Sequence, residues 1–281
     1  MKEIIQSRQN PKVRFACGLS EKKKRKESGL FRLDGIKLFS EALASELRIH
    51  SVFVRMPARA DVEEALSKAL QSGRIPEDEV VWVSESVFEK LSEEKSPEGI
   101  LTVAYMPDRL HRKETLPEAE TLLCSEKAHT EAILIAESIR DPGNLGTVMR
   151  TAAALGIDRL ILSADCADLY HPRTVRSAMG ALFRLQTVSV EPEELPELIR
   201  SLRKTGRRIY AAALREDAER IGTLSLRRGD CFVIGNEGHG LSDAVIEACD
   251  GAAIIPMREG NESLNAAAAA SICIWETVRA S

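Results

Sequence analysis

The stretch Ala132-Ile-Leu-Ile-Ala-Glu-Ser-Ile-Arg-Asp-Pro-Gly-Asn-Leu-Gly-Thr-Val-Met-Arg150 decides the fold class. Its first residues form an unbroken apolar run, the pattern of a strand buried on both faces. Pro142 and Gly143 then lead into a helix, with Asn144 placed where an N-cap residue stands. Leu145, Val148, Met149 and Ala152 follow at i, i+3, i+4 and i+7, a stripe that buries against a sheet. Arg150 lies ~140° from the centre of that stripe at the helical period, so it points away from the core. A guanidinium projecting beside a strand end suits a phosphate or a partner subunit; the bland alternative is an ordinary solvated arginine.

Working outward, strand-like runs recur at Arg159–Leu162, Leu185–Val190, Arg208–Ala213, Cys231–Ile234 and Ala252–Ile255. Helical stretches fall between most of them, at 144–155, 172–181, 193–204, 241–248 and 264–279. Apolar strands alternating with helices predict an α/β domain over 131–281, a mostly parallel sheet with helices on both faces. Upstream, Leu30–Leu33, Ile49–Val54, Val80–Val83 and Ile100–Ala104 read as strands with amphipathic helices between them, a small N-terminal α/β domain over 1–106. Residues 107–130 are charged, proline-punctuated and without an apolar strand, which predicts a linker.

Two more strand-end turns carry dense polar and glycine content: Phe232-Val-Ile-Gly-Asn-Glu-Gly-His-Gly-Leu241 and Ile255-Pro-Met-Arg-Glu-Gly-Asn-Glu-Ser-Leu-Asn265. Such loops are where α/β proteins build sites. The order Gly235-x-x-Gly-x-Gly240 is not that of a dinucleotide turn, and the Lys-Ser/Thr of a P-loop is absent. These glycines permit a tight turn and close backbone approach to a flat ligand. Glu237 repels phosphate and partners an arginine or an amide, whereas His239 carries no role. Ser263 and Asn265 open an alanine-rich helix, and two polar groups exceed what one cap requires.

The chain has 281 residues with 44% apolar content, enough for two cores, and no apolar run long enough to span a membrane. It lacks the apolar stretch of a secretion signal, so the expected location is the cytoplasm. Six scattered cysteines without Cys-x-x-Cys or zinc-finger spacing read as reduced, mostly buried residues rather than metal ligands. Net charge is only −4, yet residues 1–40 carry +7 against −11 for the remainder. The run Lys22, Lys23, Lys24, Arg25, Lys26 suits RNA phosphates as a positioning contact, with a solvated basic face as the alternative.

Together the three turns resemble the signature motifs of the SpoU (TrmH-like) RNA ribose methyltransferases of the SPOUT superfamily. The resemblance implies a trefoil knot in the C-terminal domain and S-adenosylmethionine as cofactor, in an apolar slot edged by backbone hydrogen bonds. By position, Gly235, Ile255 and Leu264 match the family's cofactor contacts, with Met257 close by. Asn144, Arg150, Glu237, Ser263 and Asn265 match its polar catalytic set, and no metal is implied. The implied reaction is in-line attack of a ribose 2′-hydroxyl on the cofactor methyl, with Arg150 either drawing off the proton or orienting the phosphate. The segment 170–183 is also similar to the family's, and its Arg173 and Arg176 face RNA or form ion pairs. The N-terminal part, with Asn10-Pro-Lys-Val13, Phe31–Lys37 and Ser96–Ile100, is similar to an accessory substrate-binding domain akin to RNA-binding ribosomal proteins. That favours structured RNA, ribosomal before transfer RNA, over DNA, and the family implies a homodimer. The alternatives are a non-catalytic RNA-binding protein, a knotted base methyltransferase and, more distantly, a nucleotide-dependent α/β enzyme.

Overall fold

The computed structural model describes residues 3–45, 47–125, 128–227, 229–258 and 263–279. They divide into two compact units, Met1–Pro107 with Asp168–Phe183, and Asp108–Ala167 with Arg184–Ser281.

The first unit holds β1 (Ile4–Ile5), α1 (Pro11–Gly18), α2 (Lys22–Ser28), β2 (Leu30–Asp34), α3 (Ile36–Ala44), β3 (Ile49–Met56), α4 (Ala60–Gln71), β4 (Val80–Ser84), α5 (Glu85–Leu91) and β5 (Ile100–Tyr105). Its five-stranded sheet runs β1-β4-β3-β5-β2, parallel from β1 to β3 and antiparallel thereafter. Strand alternation divides the core in two. Phe53, Val81, Val83, Leu101 and Val103 meet α1 and α5, whereas Val52, Val54, Trp82 and Ile100 meet α3 and α4.

The second unit holds β6 (His111–Lys113), α6 (Leu116–Leu123), β7 (Ile133–Ala136), α7 (Pro142–Leu155) and β8 (Arg159–Ser163). Helix α8 (Pro172–Ala178) belongs to the first unit. The second then continues with β9 (Gln186–Val190), α9 (Leu195–Lys204), β10 (Ile209–Ala212), β11 (Glu219–Arg220), β12 (Cys231–Ile234), α10 (Asp243–Ala248), β13 (Gly251–Ile254) and α11 (Ala266–Arg279). Every pairing in its eight-stranded sheet is parallel, in the order β11-β13-β10-β12-β7-β8-β9-β6. Leu198, Ile199 and Leu202 of α9, Val245 and Ala248 of α10, and Ala119 and Leu123 of α6 bury one face. The apolar stripe of α7 is fully buried, and α11 packs against α7 and β12.

Residues 107–130, expected as a linker, instead supply β6 and α6. Strand β6 pairs with β9 at the sheet edge, and α6 starts at a capping-box sequence in which the Thr115 N–H and hydroxyl donate to Glu118 Oε2 at 2.9 and 2.8 Å. Chain order reverses at β7: the chain adds β8 and β9 on one side, then crosses to place β10 and β12 on the other. In parallel sheets a crevice opens at the strand ends beside such a switch. The first two motifs follow the adjacent strands β7 and β12, and the third follows β13.

Candidate active site at the strand ends

Helix α7 begins one turn earlier than the sequence suggests. Asp141 is its N-cap, accepting from the Asn144 N–H at 2.9 Å, and Pro142 fills the first helical position. Asn144 is therefore inside the first turn and its side chain is released for other bonds. Its Nδ2 donates to Glu237 Oε1 at 2.9 Å, and its Oδ1 accepts from Asn265 Nδ2 at 3.0 Å. Asn265 Oδ1 in turn accepts the backbone N–H groups of Ala267 and Ala268 at 2.9 and 3.3 Å, capping α11. One residue from each motif thus joins a single chain of bonds. Its polarity is fixed at both ends, because a backbone N–H only donates and a carboxylate only accepts.

Deeper bonds lock the same turns. Glu137, buried at the end of β7, accepts from the N–H and hydroxyl of Ser242 at 2.9 and 2.6 Å, tying the first motif to the start of α10. Asn236 Nδ2 donates to the Ser138 carbonyl at 2.7 Å while its Oδ1 accepts the Gly238 N–H at 2.8 Å. Ser138 is in the left-handed region (φ 55) and donates its hydroxyl to Asp165 at 2.6 Å. Burial opposes the charge on Asp165, but bonds from Ser138, Ser163 and Arg140 outweigh it and hold this carboxyl below the usual range. Within the second motif, Asn236 and Gly240 pair backbone to backbone, so the turn folds back over Gly235. A Cβ on Gly235 would stand 2.4 Å from the Gly240 carbonyl carbon, so only glycine fits.

Above this turn lies a cavity of about 510 Å³. Gly235, Glu237, Ile255, Met257, Ser263 and Leu264 all line it. Asn144 and Asn265 hold its rim through the amide chain. Residues 259–262 of the third motif lie outside the described residues. Sequence reasoning missed the wall supplied by Ala213, Leu214 and Arg215 beyond β10, and the locks at Glu137, Ser138 and Asn236. Signals existed: Arg208–Ala213 reads as a strand whose end faces the same side, and an Asn after Gly235 is a turn former. Among the described residues, the lining charges are Arg215, chelated by Asp217 at 2.9 Å, and Glu237, which form no cluster of cations for a phosphate.

Arg150 is exposed on α7 and does not line the cavity; no hydrogen bond or ion pair holds it among the described residues. In the first unit, Lys22, Lys23, Lys24 and Lys26 are exposed on α2. Arg25, expected with them as an RNA contact, is not: it is 1% exposed. Its guanidinium donates to the Leu19 and Ser20 carbonyls at 2.8 and 2.6 Å and to Asp168 at 2.6 Å, so it fastens the chain inside the unit. Arg173 and Arg176 are exposed on α8, with Arg176 paired to Glu94.

Residues 131–275 match the model of the SpoU rRNA Methylase family, and residues 10–102 that of the MRM3-like substrate binding domain. The chain belongs to the SpoU rRNA methylase family. A relative in this family, the 23S rRNA (guanosine(2553)-2′-O)-methyltransferase RlmP of Bacillus subtilis, is 30% identical, with 96% of this chain and 97% of the relative covered. The family fold extends over the whole chain in solved structures. The AdoMet-bound rRNA methyltransferase from Sinorhizobium meliloti aligns at TM-score 0.79 and 27% identity, covering 99% of this chain and 97% of its own. The SpoU methyltransferase AviRb from Streptomyces viridochromogenes, also in complex with AdoMet, aligns at 0.78 and 26% identity, covering 96% and 98%.

Proposed function

We propose that this protein is an S-adenosylmethionine-dependent RNA methyltransferase that acts on a ribose 2′-hydroxyl of ribosomal RNA. The observation that carries this reading is the convergence of three strand-end turns on one cavity, linked by the Glu237–Asn144–Asn265 amide chain. The lining fits the cofactor: Ile255, Met257 and Leu264 offer apolar surface for a neutral adenine, and the Gly235 turn brings backbone close. When bound, S-adenosylmethionine supplies an electrophilic methyl group on a sulfonium.

The chain's own residues do the rest. Glu237, Asn144 and Asn265 fix the rim against which the ribose sits, and Ser263 adds a hydroxyl there. Arg150 is a freely projecting guanidinium, a fork of N–H donors with no acceptor atom. We assign it to a substrate phosphate and to the charge that develops on the 2′-oxygen as its proton passes to water, rather than to the role of proton acceptor. The unit matching residues 10–102, with Lys22, Lys23, Lys24, Lys26, Arg173 and Arg176, holds the RNA, and the second unit carries the chemistry. We further propose a trefoil knot in which the chain from β13 to α11 threads the motif loops, and a cytoplasmic homodimer. Trp275, 53% exposed on α11, supports a dimer face.

The test is transfer of labelled methyl to ribosomal RNA, followed by alkaline digestion: 2′-O-methylated dinucleotides resist cleavage. Arg150→Ala is expected to retain S-adenosylmethionine affinity while kcat/KM falls at least 100-fold. Wild-type turnover in that variant would remove the role given to Arg150, and methyl on a base alone would replace the ribose assignment.

A further inference from the structure

Phe15 stands on α1 with 43% of its surface exposed, while Val13 and Ala16 of the same helix are buried. It is the outer member of a series of rings. Its centroid is 6.0 Å from that of His50 at an interplanar angle of 38°, and His50 is 5.9 Å from Tyr105. The Arg48 guanidinium covers Tyr105 at 4.0 Å. Beside Phe15 opens a cleft of about 530 Å³, lined by Pro11, Arg14, Phe15, Lys24, Glu27 and Ser28.

We propose that the exposed face of Phe15 is a stacking platform for an unpaired base of the RNA, with the cations of α1 and α2 holding the neighbouring phosphates. The proposal rests on the methyltransferase reading only for the identity of the ligand as RNA. Charge selects the occupant: Lys12, Arg14, Lys22, Lys23, Lys24 and Lys26 are exposed on these two short helices, against Glu21 and Glu27. A single large apolar side chain inside a cationic rim is poorly suited to an apolar protein surface. It suits a nucleotide, whose base has a π-face and whose backbone is anionic. A paired base hides that face in the helical stack, so the platform selects unpaired segments, where stacking on an aromatic side chain strengthens binding severalfold to about a hundredfold per base. The same surface would let a structured RNA present a loop or bulge to this unit while its backbone follows α2.

The experiment uses the full chain and a single-stranded RNA of about ten nucleotides carrying one 2-aminopurine, whose fluorescence is quenched by stacking. Wild type is expected to bind and quench. Phe15→Leu keeps an apolar side chain without a ring, and is expected to bind about tenfold more weakly and lose the quench. Phe15→Trp is expected to restore both, and all three proteins should bind a blunt RNA duplex equally. Equal single-strand binding and quenching by Phe15→Leu, or no single-strand binding by wild type, overturns the platform. Methyl transfer by the same preparations separates the two readings. A wild type that transfers methyl beside a Phe15→Leu that still quenches loses only the platform, whereas a wild type that quenches but transfers no methyl loses only the enzymatic assignment.

Discussion

At the residue scale, the site depends on the direction of hydrogen bonds as much as on which side chains meet. Asn265 accepts two helix N–H groups with one end of its amide and donates to Asn144 with the other, a combination that no carboxylate provides. Asn265→Asp is therefore expected to keep the helix cap, and with it the melting temperature, while setting two oxygens against each other at Asn144. An unsatisfied pair of that kind costs ~1–3 kcal/mol, so kcat/KM should fall about 10- to 100-fold. Methyl-transfer kinetics beside a thermal melt test this, and unaltered kinetics would discard the chain as a working part of the site. The sequence identified Asn144, Glu237 and Asn265 as polar residues in motif turns. It misplaced Asn144 as a cap because Asp141, Pro142 and Asn144 all carry helix-start signals, and only the backbone reveals which one holds the boundary.

At the element scale, α2 reads as a basic run, yet one of its cations is a fastener. Arg25 lies on the inward face of the helix, where three acceptors bond its two terminal nitrogens, while Lys22, Lys23, Lys24 and Lys26 remain in water. Arg25→Ala strands the mostly buried carboxylate of Asp168 and is expected to cost about 3 kcal/mol in urea unfolding. Lys26→Ala should leave stability within ~0.5 kcal/mol and instead flatten the salt dependence of RNA binding. The reverse pattern would restore Arg25 as an RNA contact. A five-residue run of like charge gives no clue to which member turns inward, since that follows from where the helix docks. Strand β6 was illegible for another reason: His111-Arg-Lys113 is a short polar edge strand, formed because β9 offers it an open ladder. Helix α6 was legible through Thr115-Leu-Pro-Glu118, a capping-box spacing overshadowed by the surrounding charge.

At the scale of the whole molecule, stability should fall in alkali for a definable reason. Burial pushes the thiols of Cys231, Cys249 and Cys273 up from about 9 to about 12. Between those values the unfolded chain has released these protons and the native chain has not, so stability is complete below pH 9 and declines as pH rises toward 12. Each thiol contributes a slope of ~1.4 kcal/mol per pH unit. Denaturant titrations at pH 8 to 10.5 should show a shallower decline for Cys273→Ala, and parallel declines would refute the assignment. Assembly is the second property at this scale. Trp275 and Leu264, 53% and 40% exposed, place apolar surface on and just before α11. Trp275→Glu is expected to shift sedimentation from dimer to monomer, and a monomeric wild type would dismiss the dimer.

The sequence by itself determined the α/β class, the parallel strands and the three turns that matter, because those follow from local apolar period and from residues with strong backbone preferences. Its resemblance to the family also marked Gly235, Ile255, Met257 and Leu264, and they line one cavity. Tertiary structure alone decided which strands are neighbours, and hence that turns about 90 to 120 residues apart share hydrogen bonds at Asn144. It alone decided that Arg25 is buried, that Arg150 stands outside the cavity, and that the segment 168–183 belongs with the first unit. Strand order and helix docking are set by long-range burial, which no window of sequence contains.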